Sequence, residues 1–256
     1  MTIGKTTEHI ERANLDNVKA FFYSFYAPNN CTLVVAGPVK EAEVLRLAEK
    51  WFGPIPSRII NRPERTPEPP QKEPRSLTVE RPVPLTAVYK SYRMPARSDS
   101  GFYAADLITD LLSAGKSSKL YLKLVKELKL ATQVSAFTWG LYDPGVLSID
   151  AILAEGQTIS AYEDALAQCL EELQQTTPEE LQRMQTRVEV SHTFEQVTAL
   201  NKAMSLAMFD SIGDAELINT LPEKYRAVPL TDIQHQASNI LHPDNCTTLY
   251  YQPLSA

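Results

Sequence analysis

The sequence predicts an α+β protein built from two copies of one domain, with helices packed on one face of a mostly antiparallel sheet. An internal repeat and an alternation of helical with strand periodicity predict it. Pro28-Asn29-Asn30-Cys31-Thr32-Leu33-Val34-Val35 returns as Pro243-Asp244-Asn245-Cys246-Thr247-Thr248-Leu249-Tyr250, a constant shift of 215 positions (245 minus 30, 246 minus 31). The register extends upstream, where Leu15 and Val18 match Leu230 and Ile233. A long internal period points to repetition of a whole structural unit. From Leu77 to Asn245 is 168 residues (245 minus 77), whereas only 29 precede Asn30. Copies of equal length would leave roughly 140 residues of the first unaccounted for. The expectation is therefore a piece of a longer protein, cut inside its first domain.

Residues 14–27 read as a helix that Asn14 caps, with Val18, Phe21, Phe22 and Phe25 at helical spacing. Asn29-Asn30 turns the chain into a strand over Thr32–Ala36, which Gly37-Pro38 ends. Val39 to Phe52 is a second helix, stopped by Gly53-Pro54. Residues 57–75 are a connector: Pro63, Pro67, Pro69, Pro70 and Pro74 remove backbone donors and exclude a helix or central strand. The domains are thus 1–56, the end of a first domain, and 76–256, a second.

In the second, Leu77 to Tyr92 suggests strands, and Asp99–Leu112 and Ser117–Leu128 suggest helices. Thr132–Thr138 and Val146–Leu153 alternate across Tyr142-Asp143-Pro144-Gly145, a hairpin signal. Ile159, Tyr162, Leu166, Cys169 and Leu173 form an amphipathic helix. Thr177-Pro178-Glu179-Glu180 is a capping box that opens a long helical region toward Phe209. Pro229–Leu241 is the last helix and Cys246–Tyr251 the last strand.

The chain has 256 residues, 43% apolar and 22% charged, with a net charge of −6. This mild acidity does not give a nucleic-acid footprint, which needs clustered Lys and Arg. No apolar run reaches the roughly 18 residues of a membrane span. Cys31, Cys169 and Cys246 are far apart and read as buried thiols, not a disulfide framework.

Chemistry is sparse. The histidines are His9, His192, His235 and His242, and no two lie four apart on a helix, so a two-His zinc face is absent. His192-Thr193-Phe194-Glu195-Gln196 would spell the inverted zinc motif if residue 196 were histidine, but an amide is a poor zinc ligand. Ser113-Ala114-Gly115-Lys116-Ser117 has the end of a phosphate loop, but Asp110 stands where its first glycine belongs. Glu171, Glu172, Glu179 and Glu180 read as a solvated, cap-forming run rather than an acid–base pair. No catalytic, metal or substrate-binding residue is assigned.

Residues 15–56, with Tyr26-Ala27-Pro28-Asn29-Asn30, Val34-Val35-Ala36-Gly37 and Phe52-Gly53-Pro54-Ile55-Pro56 in order, resemble the end of the first domain of the insulinase/pitrilysin zinc metallopeptidases. Mitochondrial processing peptidases belong to the same family. Ser117-Ser118-Lys119-Leu120-Tyr121 resembles a helix start in its second domain. The resemblance implies a duplicated metallopeptidase-like α+β domain whose halves close around an unfolded peptide. It also implies that the family's H-x-x-E-H lies upstream of Met1, so no zinc ligand carries over. Non-catalytic halves that anchor substrate carry an Arg and a Tyr where this chain has Val125 and Thr132. The implied function is part of a zinc-dependent endopeptidase, a hydrolase. Residues 76–256 would be chamber wall and hinge partner to a catalytic domain. The parent would hold zinc and bind peptide; the chain alone would hold none and be inactive. Its partners would be the rest of the same polypeptide or a homologous subunit. The alternative is a non-catalytic pseudopeptidase serving as scaffold or partner subunit. A bacterial periplasm or envelope location is favoured.

Overall fold

The computed structural model describes residues 6–62, 66 and 68–254; Pro63 and Pro67 of the expected connector lie outside them. The helices are α1 (Glu8–Glu11), α2 (Leu15–Phe25), α3 (Glu41–Phe52), α4 (Phe102–Ser113), α5 (Ile159–Glu171), α6 (Pro178–Glu195), α7 (Ala199–Ser211), α8 (Leu217–Arg226) and α9 (Leu230–Ile240). The strands are β1 (Arg75–Arg81), β2 (Ala87–Met94), β3 (Ala131–Trp139), β4 (Gly145–Leu153) and β5 (Cys246–Pro253). The chain forms two compact units, Met1–Thr66 with Glu195–Ile218, and Pro67–Phe194 with Asn219–Ala256. Residues 195–218, which the sequence reading placed in the second domain, gather with the first unit.

The second unit is an α+β domain around a mixed five-stranded sheet of order β1-β5-β2-β4-β3. β1 runs parallel to β5, while β2–β5, β2–β4 and β3–β4 are antiparallel. Strand side chains alternate, so one register faces the helices. Val88, Tyr92 and Met94 of β2, with Leu147, Ile149, Ala151 and Leu153 of β4, are buried. Tyr89, on the opposite register, is exposed. Leu107, Ile108 and Leu112 of α4, Tyr162 and Leu166 of α5, and Ile233 of α9 complete the core.

Local chemistry places the helix starts. Thr177 Oγ1 accepts from the Glu180 N–H at 3.2 Å, and the Glu180 carboxylate accepts from the Thr177 N–H at 2.9 Å. That reciprocal capping box satisfies two helix-start donors of α6. The Thr158 and Thr198 hydroxyls accept from the Ala161 and Asn201 N–H groups and cap α5 and α7 with that single bond each. The expected helix over Ser117–Leu128 is wound as wide π turns over Tyr121–Glu127, with Leu128 N–H donating to the Lys123 carbonyl at 3.0 Å. The long helical region divides into α6 and α7. The sequence reading assigned no element where α8 lies, and Pro222 stands in its middle.

In the first unit Asn14 accepts from the Asn17 N–H at 2.9 Å and starts α2. Arg58 ties the exit from α3 back to this helix: its guanidinium donates to the Tyr23 and Tyr26 carbonyls, each at 3.2 Å. Asn29 accepts the Arg58 N–H and donates to its carbonyl. The strand expected over Thr32–Ala36 is corrected. Cys31 keeps extended dihedrals (φ −134°, ψ 131°), yet residues 31–36 join no sheet among the described residues. A strand needs a ladder partner, and none lies beside this segment among the described residues.

Candidate functional site

A concavity of the second unit lies between the β1-β5-β2 side of the sheet and helices α5 and α9. It encloses about 630 Å³, within the range of small-ligand clefts. Its apolar wall comes from Leu166 and Leu170 of α5 and from Leu241. The polar wall comes from the sheet, where Lys90, Thr248 and Tyr250 share one register.

Lys90 is 9% exposed and donates to both oxygens of Glu163, at 2.7 and 2.9 Å. Tyr250 Oη donates to the same carboxylate at 3.1 Å. The strand pattern fixes this geometry: Lys90 is the inward residue between Val88 and Tyr92, and Glu163 follows the core residue Tyr162 on α5. A charge pair taken this far from water holds only when both partners stay paired. Burial first, then Glu163, pushes the Tyr250 phenol up to about 12. Burial, with Cys246 beside it, also raises Tyr92. The Tyr92 and Tyr250 phenols therefore keep their protons at neutral pH.

A second polar group lies where α4 meets β3. Asp106 accepts from Tyr225 Oη at 2.7 Å and from Thr138 Oγ1 at 2.5 Å. One turn on, burial and then the Asp106 charge push Asp110 up to about 6.

The residues weighed from sequence fall apart in space. His192 is a buried residue of α6. Gln196 directly follows the last residue of that helix, and its amide is a poor zinc ligand. No group of three or more His, Cys, Asp or Glu side chains among the described residues is placed to hold a metal ion. The residues present do not fit zinc. His235 lies against Asn239 on α9, and His242 sits at the rim of the cleft. Ser113 Oγ donates to the Ala136 carbonyl at 2.8 Å, fastening α4 to β3 rather than cradling phosphate. Glu180 pairs with Lys119 at 3.2 Å and caps α6. Val125 packs against the core, and Thr132 donates to the Ile152 carbonyl at 3.2 Å. Cys169 and Cys246 are buried, but Cys31 is exposed, which corrects the reading of three buried thiols. Burial first of all pushes Cys169 up to about 11, so it stays a neutral thiol. Sequence reasoning missed the Lys90–Glu163 pair. Its signal was a lysine on the inward register of an apolar strand.

Comparison with known proteins gives this architecture relatives. A family model described as the peptidase M16 inactive domain matches residues 12–188. A zinc protease of Helicobacter pylori, PqqE, is 24% identical over 255 residues, covering 96% of this chain and 56% of its own length. A solved protease structure from Helicobacter pylori superposes with a TM-score of 0.89 at 24% identity, over 97% of this chain and 61% of that one. The first half of the periplasmic protease PqqL from Escherichia coli shares the fold, with a TM-score of 0.72 at 14% identity, over 96% of this chain and 56% of that one. The chain thus spans little more than half the length of the curated relative it matches.

Proposed function

The chain belongs to the peptidase M16 family, the insulinase/pitrilysin peptidases, through the family's inactive domain, and on that premise we propose that it is the non-catalytic part of a zinc-dependent endopeptidase. In this reading residues 76–256 form a wall of the peptide chamber and a hinge partner for a catalytic domain. Residues 1–56 close the preceding domain of the same kind, and 57–75 connect the two. The metal would sit on residues outside this chain.

One observation carries the reading: the inactive-domain match covers residues 12–188. What these residues supply is shape. The sheet gives a rigid wall, and the cleft beside β1 offers apolar surface with a few fixed hydrogen-bonding groups, the usual composition of a peptide- or ligand-contacting surface. The bond-breaking water, its activation and its general base belong to the metal-bearing domain. Substrate is an extended peptide. The partner is that domain, in the same polypeptide or in a homologous subunit. A periplasmic or envelope location agrees with the periplasmic relative.

The test uses two preparations: this chain, and the complete product of its natural gene. The chain alone should retain no stoichiometric zinc after dialysis and should leave a fluorogenic peptide library uncut. The complete product should hold zinc and cleave peptides, with cleavage lost to a chelator and restored by zinc. A complete product that folds and, together with the subunits that copurify with it, holds no zinc and cleaves nothing would refute this reading and establish a scaffold. One zinc per isolated chain, lost in His192→Ala, would overturn the exclusion of His192.

A further inference from the structure

We propose that the cleft between the β1-β5-β2 side of the sheet and helices α5 and α9 binds a small zwitterion with an aliphatic side chain, a free α-amino acid such as leucine. The inference goes beyond the peptidase reading and does not depend on it.

The floor of the cleft is a polar rung. Ser76, Thr248 and Lys90 stand directly opposite one another on β1, β5 and β2, about 5 Å from strand to strand, and all three line the concavity. Glu163 reaches the rung from α5, where Lys90 and Tyr250 hold it. The opposing wall is aliphatic: Leu166 and Leu170 of α5, and Leu241 just past α9.

The fold does not demand this polarity. At the 215-position shift Thr248 and Tyr250 match Leu33 and Val35, which line an apolar groove with Leu47 and Phe52 of α3. The turns that lead into the two segments are alike, Pro28–Asn30 and Pro243–Asn245. Each carries the same clasp: Asn30 Nδ2 donates to the Phe25 carbonyl at 2.8 Å, and Asn245 Nδ2 to the Ile240 carbonyl at 2.9 Å. One local architecture is thus lined with apolar side chains in the first copy and with polar ones in the second. Nor does a buried ion pair gain stability over well-packed apolar residues, because desolvation offsets its attraction. The polar lining answers to what enters the cleft.

Counting donors and acceptors gives the ligand's chemistry. An ammonium has three donors and a carboxylate about four acceptor sites. Lys90 gives two N–H groups to Glu163, and Glu163 accepts those two and the Tyr250 hydroxyl. Among the described residues, one donor of Lys90 and one acceptor site of Glu163 are left over. A ligand that brings a carboxylate to Lys90 and an ammonium to Glu163 satisfies both. An α-amino acid carries the two groups on one carbon, matched to a pair whose charged atoms lie 2.7 Å apart. Charge balance agrees. Arg75 and Lys90 are answered by Glu163 and Glu171 around the cleft, so a net anion or cation gains nothing in sum. The aliphatic wall takes the side chain, and burying it supplies affinity that glycine lacks.

Isothermal calorimetry on the full chain tests this with L-leucine, N-acetyl-L-leucine, L-leucinamide and glycine at neutral pH. Leucine should bind saturably at one site per chain. N-acetyl-leucine lacks the ammonium and leucinamide the carboxylate. Each should bind about tenfold or more weakly, the loss of one charge-assisted bond. Glycine should bind more weakly than leucine. Lys90→Met/Glu163→Leu, an apolar replacement expected to fold, should abolish leucine binding while the circular dichroism spectrum is kept. Ala167→Trp, at an exposed α5 position on the cleft wall, should fill the cleft and weaken leucine binding, and it is decisive if the double variant fails to fold. No saturable binding of leucine by the parent chain overturns the proposal. So does binding of either singly charged analogue as tightly as leucine, or leucine binding unchanged in Ala167→Trp.

Discussion

Breaking the Lys90–Glu163 pair should cost the second unit far more from one side than removing both partners together. The Lys90 side chain is 11% exposed and that of Glu163 25%. Removing one partner of a buried pair costs about 3–5 kcal/mol, because the other charge is left desolvated. Glu163→Leu leaves the better-buried ammonium without its carboxylate and should cost about 3–4 kcal/mol. Lys90→Met leaves a carboxylate that still accepts from Tyr250 and can rehydrate through its exposed quarter, so its cost should be about 2 kcal/mol. The double variant Lys90→Met/Glu163→Leu should return to within about 1 kcal/mol of the parent, since well-packed apolar replacements of a buried pair are often neutral. Urea unfolding followed by circular dichroism gives the four stabilities of the cycle. In heat, about 3 kcal/mol corresponds to roughly 6–12 °C for a domain of this size. A double variant as destabilised as the sum of the singles would refute the reasoning, because the pair would then have no coupling to lose.

Three further outcomes are expected. Asp110 is held up to about 6 in the folded chain, above its unfolded value. Its contribution to stability is therefore present below about pH 4 and lost as pH rises through about 6, and Asp110→Asn should be more stable than the parent at pH 8 by about 1–2 kcal/mol. An unchanged gap between pH 4 and pH 8 in parallel denaturation series would contradict this. Thr177→Ala removes the acceptor for the Glu180 N–H and should cost about 1 kcal/mol in urea midpoint experiments, whereas Thr177→Ser should cost little. The Tyr162 hydroxyl is buried without a hydrogen-bond partner among the described residues, so Tyr162→Phe should leave stability unchanged or raise it by up to about 1 kcal/mol; a loss of that size would reveal a partner for the hydroxyl.

Much of this architecture is written in local chemistry that sequence rules read directly. Asn14 caps α2, Thr177 and Glu180 close a capping box, and the β3–β4 hairpin turns at its Pro144-Gly145, because caps and turns depend on residues a few positions apart. The repeat at 215 positions foretold matched helices and turns, whereas the strand it also foretold forms only in the second copy among the described residues. The sequence reading assigned no element over Leu217–Arg226, where α8 accommodates Pro222 and the backbone donor it lacks. The cleft was less legible. Lys90 showed its inward register, but nothing near it in the chain announced Glu163, 73 residues away.

The sequence by itself determined the α+β class, the duplication, the helix caps and the want of a metal motif, all consequences of composition and short-range bonding. Only the tertiary structure decided that β1 lies parallel beside β5, that Lys90 meets Glu163 while Tyr250 shares that carboxylate, and that Cys246 is buried while Cys31 is open. Burial and pairing are properties of what surrounds a segment, and matched segments acquire different fates when only one is enclosed by strands.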